Sequence, residues 1–267
     1  MSPPQPVASG KCESGESYSF ERRNLSILHR KVSPFDRVVY THAMNRPAIE
    51  LNTFHHIYNR GTDKRIIFLD DEDRERFILY LNVLNNKESD NPSKLSEGGL
   101  LKNYFVKERL VELSAFCLMP NHFHFLLFES TKGGISKFMQ RLGTAYTSYF
   151  NEKYERTGVL FQGVFKSKYI YDEAYLQFLI DYIHLNPKDL RGSRVAGTLK
   201  ELLNFLDNYE WSSYKFYRSS ENKHPFLELR SIEEFLDIKK GYRERLMDMY
   251  GVSSDPTDRL DRLIFEE

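Results

Sequence analysis

The segment Met119-Pro120-Asn121-His122-Phe123-His124-Phe125-Leu126-Leu127 constrains the fold more than any other stretch of this chain. Side chains two apart on a strand share a face, so His122 and His124 point together while Phe123, Phe125 and Leu127 point the opposite way. The aromatic side demands a core against it. The imidazole side offers two nitrogen donors at a spacing that suits a metal ion, although a pair of histidines by itself more often serves packing and hydrogen bonding.

Periodicity places the neighbouring elements. Residues 51–59 read as a first strand ending at Gly61, and Asp70-Asp71-Glu72-Asp73 opens a helix with Asp70 as N-cap. Phe77, Leu79, Leu81 and Leu84 carry that helix to about Asn86, and the polar stretch 87–103, with Pro92 and Gly98-Gly99, reads as a surface insertion. Residues 111–118 and 122–128 form two strands joined by a tight turn. Ile135, Phe138, Met139, Leu142, Ala145, Tyr146, Tyr149 and Phe150 then recur at helical spacing over 135–154. Residues 164–170 return as a strand, and Asp172 caps a helix with Leu176, Leu179, Ile180 and Ile183 along one side. This order predicts a ferredoxin-like α+β fold, an antiparallel sheet with helices on one face and a further helix appended. Residues 199–216 and 232–250 read as helices of a small C-terminal extension.

Composition narrows the class. The longest apolar run, from Phe123 to Phe128 with His124 inside it, falls far short of the roughly 20 residues of a membrane helix. The N-terminus lacks a basic then apolar leader pattern, and Cys12 and Cys117 make neither a disulfide framework nor a zinc ribbon, so the cytoplasm is expected. The formal net charge is zero, but residues 131–194 hold ten Lys and Arg against six Asp and Glu. A basic half on a neutral chain fits a nucleic-acid partner and equally fits a solvated helical face.

Three segments together resemble the REP-associated tyrosine transposases, a branch of the single-tyrosine HUH (His-hydrophobic-His) transposases. They are His122-Phe123-His124, Asp181-Tyr182-Ile183-His184-Leu185-Asn186-Pro187, and Tyr58-Asn59-Arg60-Gly61 followed by Phe68-Leu69-Asp70-Asp71-Glu72-Asp73. The resemblance implies that Tyr182 is a nucleophile forming a 5′-phosphotyrosine on single-stranded or hairpin DNA. It further implies that His122, His124 and Asn186 hold Mg2+ or Mn2+. Asn186 lies four residues after Tyr182, but a residue before proline is pushed from helical geometry, so a frayed helix end is expected there. Arg156, Phe161, Lys166 and Lys168, in the segment leading to the last strand, are expected to contact DNA, as are Arg60 and Lys64. Val164 stands where the family usually has arginine. On this basis residues 46–190 would be the catalytic domain and 191–267 a helical extension, while the Pro- and Ser-rich residues 1–45 would be a disordered tail, with Met44 as the natural start. The expected assembly is a monomer or homodimer.

Other residues compete for these roles. His184 falls on a different side of the helix from Tyr182, and Tyr171 and Tyr175 lie outside the Tyr-to-Asn pattern, so packing or stacking is expected of all three. Of His55 and His56, one must share the sheet face of the site, yet both are read as structural. The rival functions are a domesticated DNA-binding protein that keeps the fold without catalysis, and a zinc-dependent hydrolase using His122 and His124.

Overall fold

The computed structural model describes residues 49–88, 106–191, 199–219 and 224–234, with Leu236, Tyr242 and 245–246. The expectations for residues 1–45 and for most of the 87–103 insertion therefore lie outside the described residues. Four strands, β1 (Phe54–Arg60), β2 (Glu112–Met119), β3 (His122–Phe128) and β4 (Lys166–Ile170), form one antiparallel sheet in the order β2-β3-β1-β4. Two helices, α1 (Asp71–Val83) and α2 (Gly134–Lys153), cross over between strands, and α3 (Glu173–Leu185) follows β4. This is the expected ferredoxin-like α+β arrangement.

The two faces of the sheet have separate cores. Ile57, Phe116, Phe123, Phe125 and Leu127 pack with Phe77, Leu81, Phe138, Leu142 and Tyr146 of α1 and α2. On the opposite face, Tyr58, Ala115, Cys117 and Leu126 pack with Leu179, Tyr182 and Ile183 of α3. The period of two on β3 thus sorts phenylalanines under α1 and α2 and histidines under α3.

Local chemistry fixes the helix starts. Asp70 accepts the Asp73 amide at 2.9 Å while the Asp73 carboxylate accepts the Asp70 amide, closing a reciprocal cap on α1. Lys153, at the end of α2, pairs with Asp70 at 2.9 Å and with Glu72 and Asp73 at 3.0 Å, tying the two helices together. The first turn of α2 has no cap of its own. Instead the buried Glu129 carboxylate, just after β3, accepts the Gly133 amide at 2.6 Å and the Ile135 amide at 2.7 Å. Gly61 does more than turn the chain, because a Cβ there would run into the Arg65 carbonyl oxygen.

Three expectations need correction. The helix anticipated over 199–216 is broken into α4 (Leu199–Asn208) and α5 (Tyr214–Ser219). Residues between them bridge to the β2 edge: the Leu118 amide donates to the Trp211 carbonyl at 2.8 Å, and Ser213 donates its amide to the Phe116 carbonyl at 3.0 Å. Covering an open strand edge outweighs local helical periodicity. The predicted helix over 232–250 starts instead as α6 (Arg230–Glu233), and most of its remainder lies outside the described residues. Asn186 is not frayed. It keeps helical angles (φ −47°, ψ −41°), its amide bonds to the Tyr182 carbonyl, and a 3-10 turn over Asn186–Arg191 carries the chain past Pro187. Burial to 3 % exposure and the retained bond outweigh the steric preference of a residue before proline. Element ends otherwise shift by a few residues, with β1 starting at Phe54, α1 ending at Val83 and β4 starting at Lys166.

Candidate active site

Register determines what faces α3. Across the sheet, Cys117, His124, Tyr58 and Lys166 form one row, Ala115, Leu126, His56 and Lys168 the next, and Met119, His122 and Arg60 a third. Tyr182 stands over this surface, its ring edge-on to His124 (centroids 5.5 Å, 82°) and to His56 (6.2 Å, 80°). His122 and His124 lie 5.0 Å apart, ring edge to ring face.

Asn186 completes the group. Its Nδ2 donates to the Tyr182 carbonyl at 2.9 Å, and its side chain also hydrogen-bonds His122. The neighbouring Asn121 Oδ1 sits 2.6 Å from His122 Nδ1. The four residues that the resemblance singled out, His122, His124, Tyr182 and Asn186, are thus brought together on one side of the sheet.

Burial sets the charge state. It lowers His56 to about 3, helped by the positive charge of Lys168. It lowers His122 to about 4 against the opposing hydrogen bond from Asn186, and pushes His124 well down, reinforced by His122 and His56. All three imidazoles are neutral at neutral pH, the form that offers a lone pair to a metal. Among the described residues no three His, Cys, Asp or Glu side chains converge as a ready metal cluster. Two neutral imidazoles and an amide oxygen nevertheless form a donor set that fits a divalent cation.

The residues expected at DNA divide by position. Lys166 and Lys168 share the histidine face, and Arg60 lies beside His122 while also reaching Gln162. Exposed Lys64 sits in the turn after β1 with φ 58°. Arg156 holds the end of α2, bonding Asn151 Oδ1 at 2.7 Å and lying over the Phe150 ring. Phe161 is half-buried on the opposite side of the sheet, edge-on to Phe123 at 5.9 Å, because the 158–165 loop folds down onto the α1/α2 core. Its ring packs against that core and stays partly exposed.

His184 has a structural place, bonding Ser213 Oγ and the Tyr242 hydroxyl at 2.6 Å each, and so pinning α3 to the C-terminal layer. Tyr171 and Tyr175 stack on each other at 5.9 Å, away from the Tyr-to-Asn group. His55 faces away from α3, contacting Ser167 Oγ at 3.0 Å. His56 was missed as a member of the site. Its Nε2 lies 2.9 Å from His124 Nδ1, and strand parity with Tyr58 was the available signal.

Residues 99–186, which take in β2, β3, α2, β4 and α3, match the family model described as "Transposase IS200 like". A solved structure of a REP-associated tyrosine transposase bound to a REP hairpin is similar at 13 % identity and a TM-score of 0.43, covering 66 % of this chain and 84 % of that one. No curated protein matches. Among the described residues no helix is long and apolar enough to cross a membrane.

Proposed function

We propose that this IS200-like chain is a DNA transposase that cleaves and rejoins single-stranded or hairpin DNA of a repeat element, with Tyr182 as nucleophile. The observation that supports this reading is the convergence of Tyr182, His122, His124 and Asn186 on one sheet face, from segments about sixty residues apart in the chain.

A tyrosine hydroxyl, with a reference pKa of about 10, must be positioned and relieved of its proton to attack at neutral pH. α3 positions it here, packed against His124 and anchored through its carbonyl to Asn186. The Tyr182 oxygen forms a bond to phosphorus as the bond to the 3′ oxygen breaks. That oxygen keeps the electron pair and takes a proton, giving a free 3′ hydroxyl and a 5′-phosphotyrosine. The phosphotyrosine conserves the bond, so rejoining requires no nucleotide triphosphate. His122, His124 and Asn186 would hold Mg2+ or Mn2+, which when bound would neutralise charge developing on the phosphate. Lys166, Lys168 and Arg60 line the approach on the same face and would bind the DNA backbone. Lys64 would extend that track, Arg156 would add a phosphate contact, and Phe161 would take part only by supporting the loop that carries the lysines. The proposed place of action is the cytoplasm, as a monomer or homodimer.

One observation favours a second reading. Tyr182 is 1 % exposed and Asn186 3 %, so a phosphate reaches them only if the cover over the site opens. A DNA-binding protein that has given up cleavage would keep such a site closed. Incubation with labelled hairpin DNA, with Mn2+ and with chelator, followed by denaturing electrophoresis, separates the two. A covalent adduct that requires Mn2+ and is absent in His124→Ala is the expected result. Tight DNA binding with no adduct across a panel of hairpins would favour the second reading.

A further inference from the structure

We infer that His56 is a positioning residue for His124, accepting its Nδ1 proton and thereby fixing the tautomer whose Nε2 lone pair can face the cation; this rests on the metal-site reading above.

His56 Nε2 lies 2.9 Å from His124 Nδ1, with the ring planes 22° apart. Both are fully buried. A hydrogen bond between two neutral imidazoles contains one proton, so it has two forms. When His56 donates, His124 carries its own proton on Nε2 and has no lone pair left for a metal. When His124 donates from Nδ1, its Nε2 keeps the lone pair that a metal would take. Cation binding therefore selects the second form, and a partner that can accept at Nδ1 is needed to stabilise it. His56 is the group placed to do so.

The position would not need a histidine for packing alone. His56 sits among Tyr58 at 5.0 Å, His124 at 5.1 Å and Tyr182 at 6.2 Å, where an apolar ring would fill the same space without bringing a polar atom into the interior. Its Nδ1 is buried without a hydrogen-bond partner, so the residue's one polar contact of this kind is spent on His124. Outer contacts to metal-binding histidines typically contribute about 10- to 100-fold in metal affinity.

The test measures Mn2+ binding to the full chain without DNA, following free Mn2+ by electron paramagnetic resonance. His56→Phe keeps the ring volume and removes the acceptor, while His56→Gln returns an amide oxygen at similar reach. His56→Phe should bind Mn2+ about 10- to 100-fold more weakly, and His56→Gln should recover most of the loss. Should the phenylalanine variant fail to fold, His56→Asn, polar but too short to reach His124, makes the same comparison with His56→Gln. A cooperatively melting His56→Phe or His56→Asn that binds Mn2+ as tightly as the parent would overturn the assignment. His124→Ala separates the two levels: if it abolishes Mn2+ binding while the His56 variants do not, only the positioning role fails. If Mn2+ binding survives His124→Ala, the metal-site reading fails as well.

Discussion

Replacing Tyr182 with phenylalanine removes one oxygen from a side chain that is 1 % exposed and leaves its ring in place. The ring's edge-on contacts with His124 at 5.5 Å and His56 at 6.2 Å survive, as does the backbone carbonyl that Asn186 holds at 2.9 Å. The folding cost is then bounded by one net hydrogen bond, about 0.5–1.5 kcal/mol, against about 3–5 kcal/mol for truncating a buried aromatic to alanine. For a domain of this size that bound corresponds to a fall in melting temperature of at most about 6 °C. The proposed DNA track of Lys166, Lys168 and Arg60 is untouched, so hairpin affinity should stay within a few-fold. Covalent adduct, by contrast, should vanish altogether, since the attacking oxygen is gone. The three quantities come from thermal melting, filter binding and denaturing electrophoresis on one preparation. An undiminished adduct in Tyr182→Phe would refute the assignment of the nucleophile. Lost DNA binding alongside lost adduct would refute the claim that this hydroxyl is purely chemical.

Three further outcomes follow from the geometry. His184→Leu removes the partner of the Tyr242 hydroxyl while Ser213 Oγ keeps its bond to the Phe116 amide, so urea unfolding should show a loss of about 2–4 kcal/mol, and a loss below about 1 would contradict the pinning role. Burial holds His56 near 3, His122 near 4, helped down by Arg60 though opposed by Asn186, and His184 near 3, all below the unfolded value of about 6.5. The unfolded chain therefore binds more protons as pH falls below about 6.5, and stability should drop by up to about 1.4 kcal/mol per pH unit per histidine until the folded values are reached; a urea midpoint unchanged between pH 7.5 and 5 would count against neutral buried imidazoles. Lys166→Ala with Lys168→Ala should weaken hairpin binding across sequences and flatten its salt dependence by about 0.7 per lost contact on single strands, and an unchanged slope would remove these lysines from the DNA track.

The grouping of the candidate site's residues was legible because its parts are short-range patterns. Alternation on β3 put His122 and His124 on the face opposite Phe123, Phe125 and Leu127, and the structure keeps them there. Four-residue spacing aligned Tyr182 with Asn186, and the aligned pair holds despite Pro187. Caps at Asp70 and Asp172 were equally readable, since a cap involves residues three apart. The packing of Phe161 was not legible because its surroundings are remote in sequence: how far a loop aromatic stands out depends on whether Phe123 and Tyr146 lie beneath it. The break between α4 and α5 has the same origin, in an edge of β2 almost a hundred residues away.

The sequence by itself determined the strand and helix order, the sidedness of β3 and the four-residue alignment of Tyr182 with Asn186, because each depends on a period or spacing that the backbone imposes locally. Only the tertiary structure decided that His56 belongs with His124, that Glu129 caps α2 from outside it, and that Tyr182 is covered. Those depend on register and on which surfaces meet, where a shift of one residue would send every side chain of β1 to the other face.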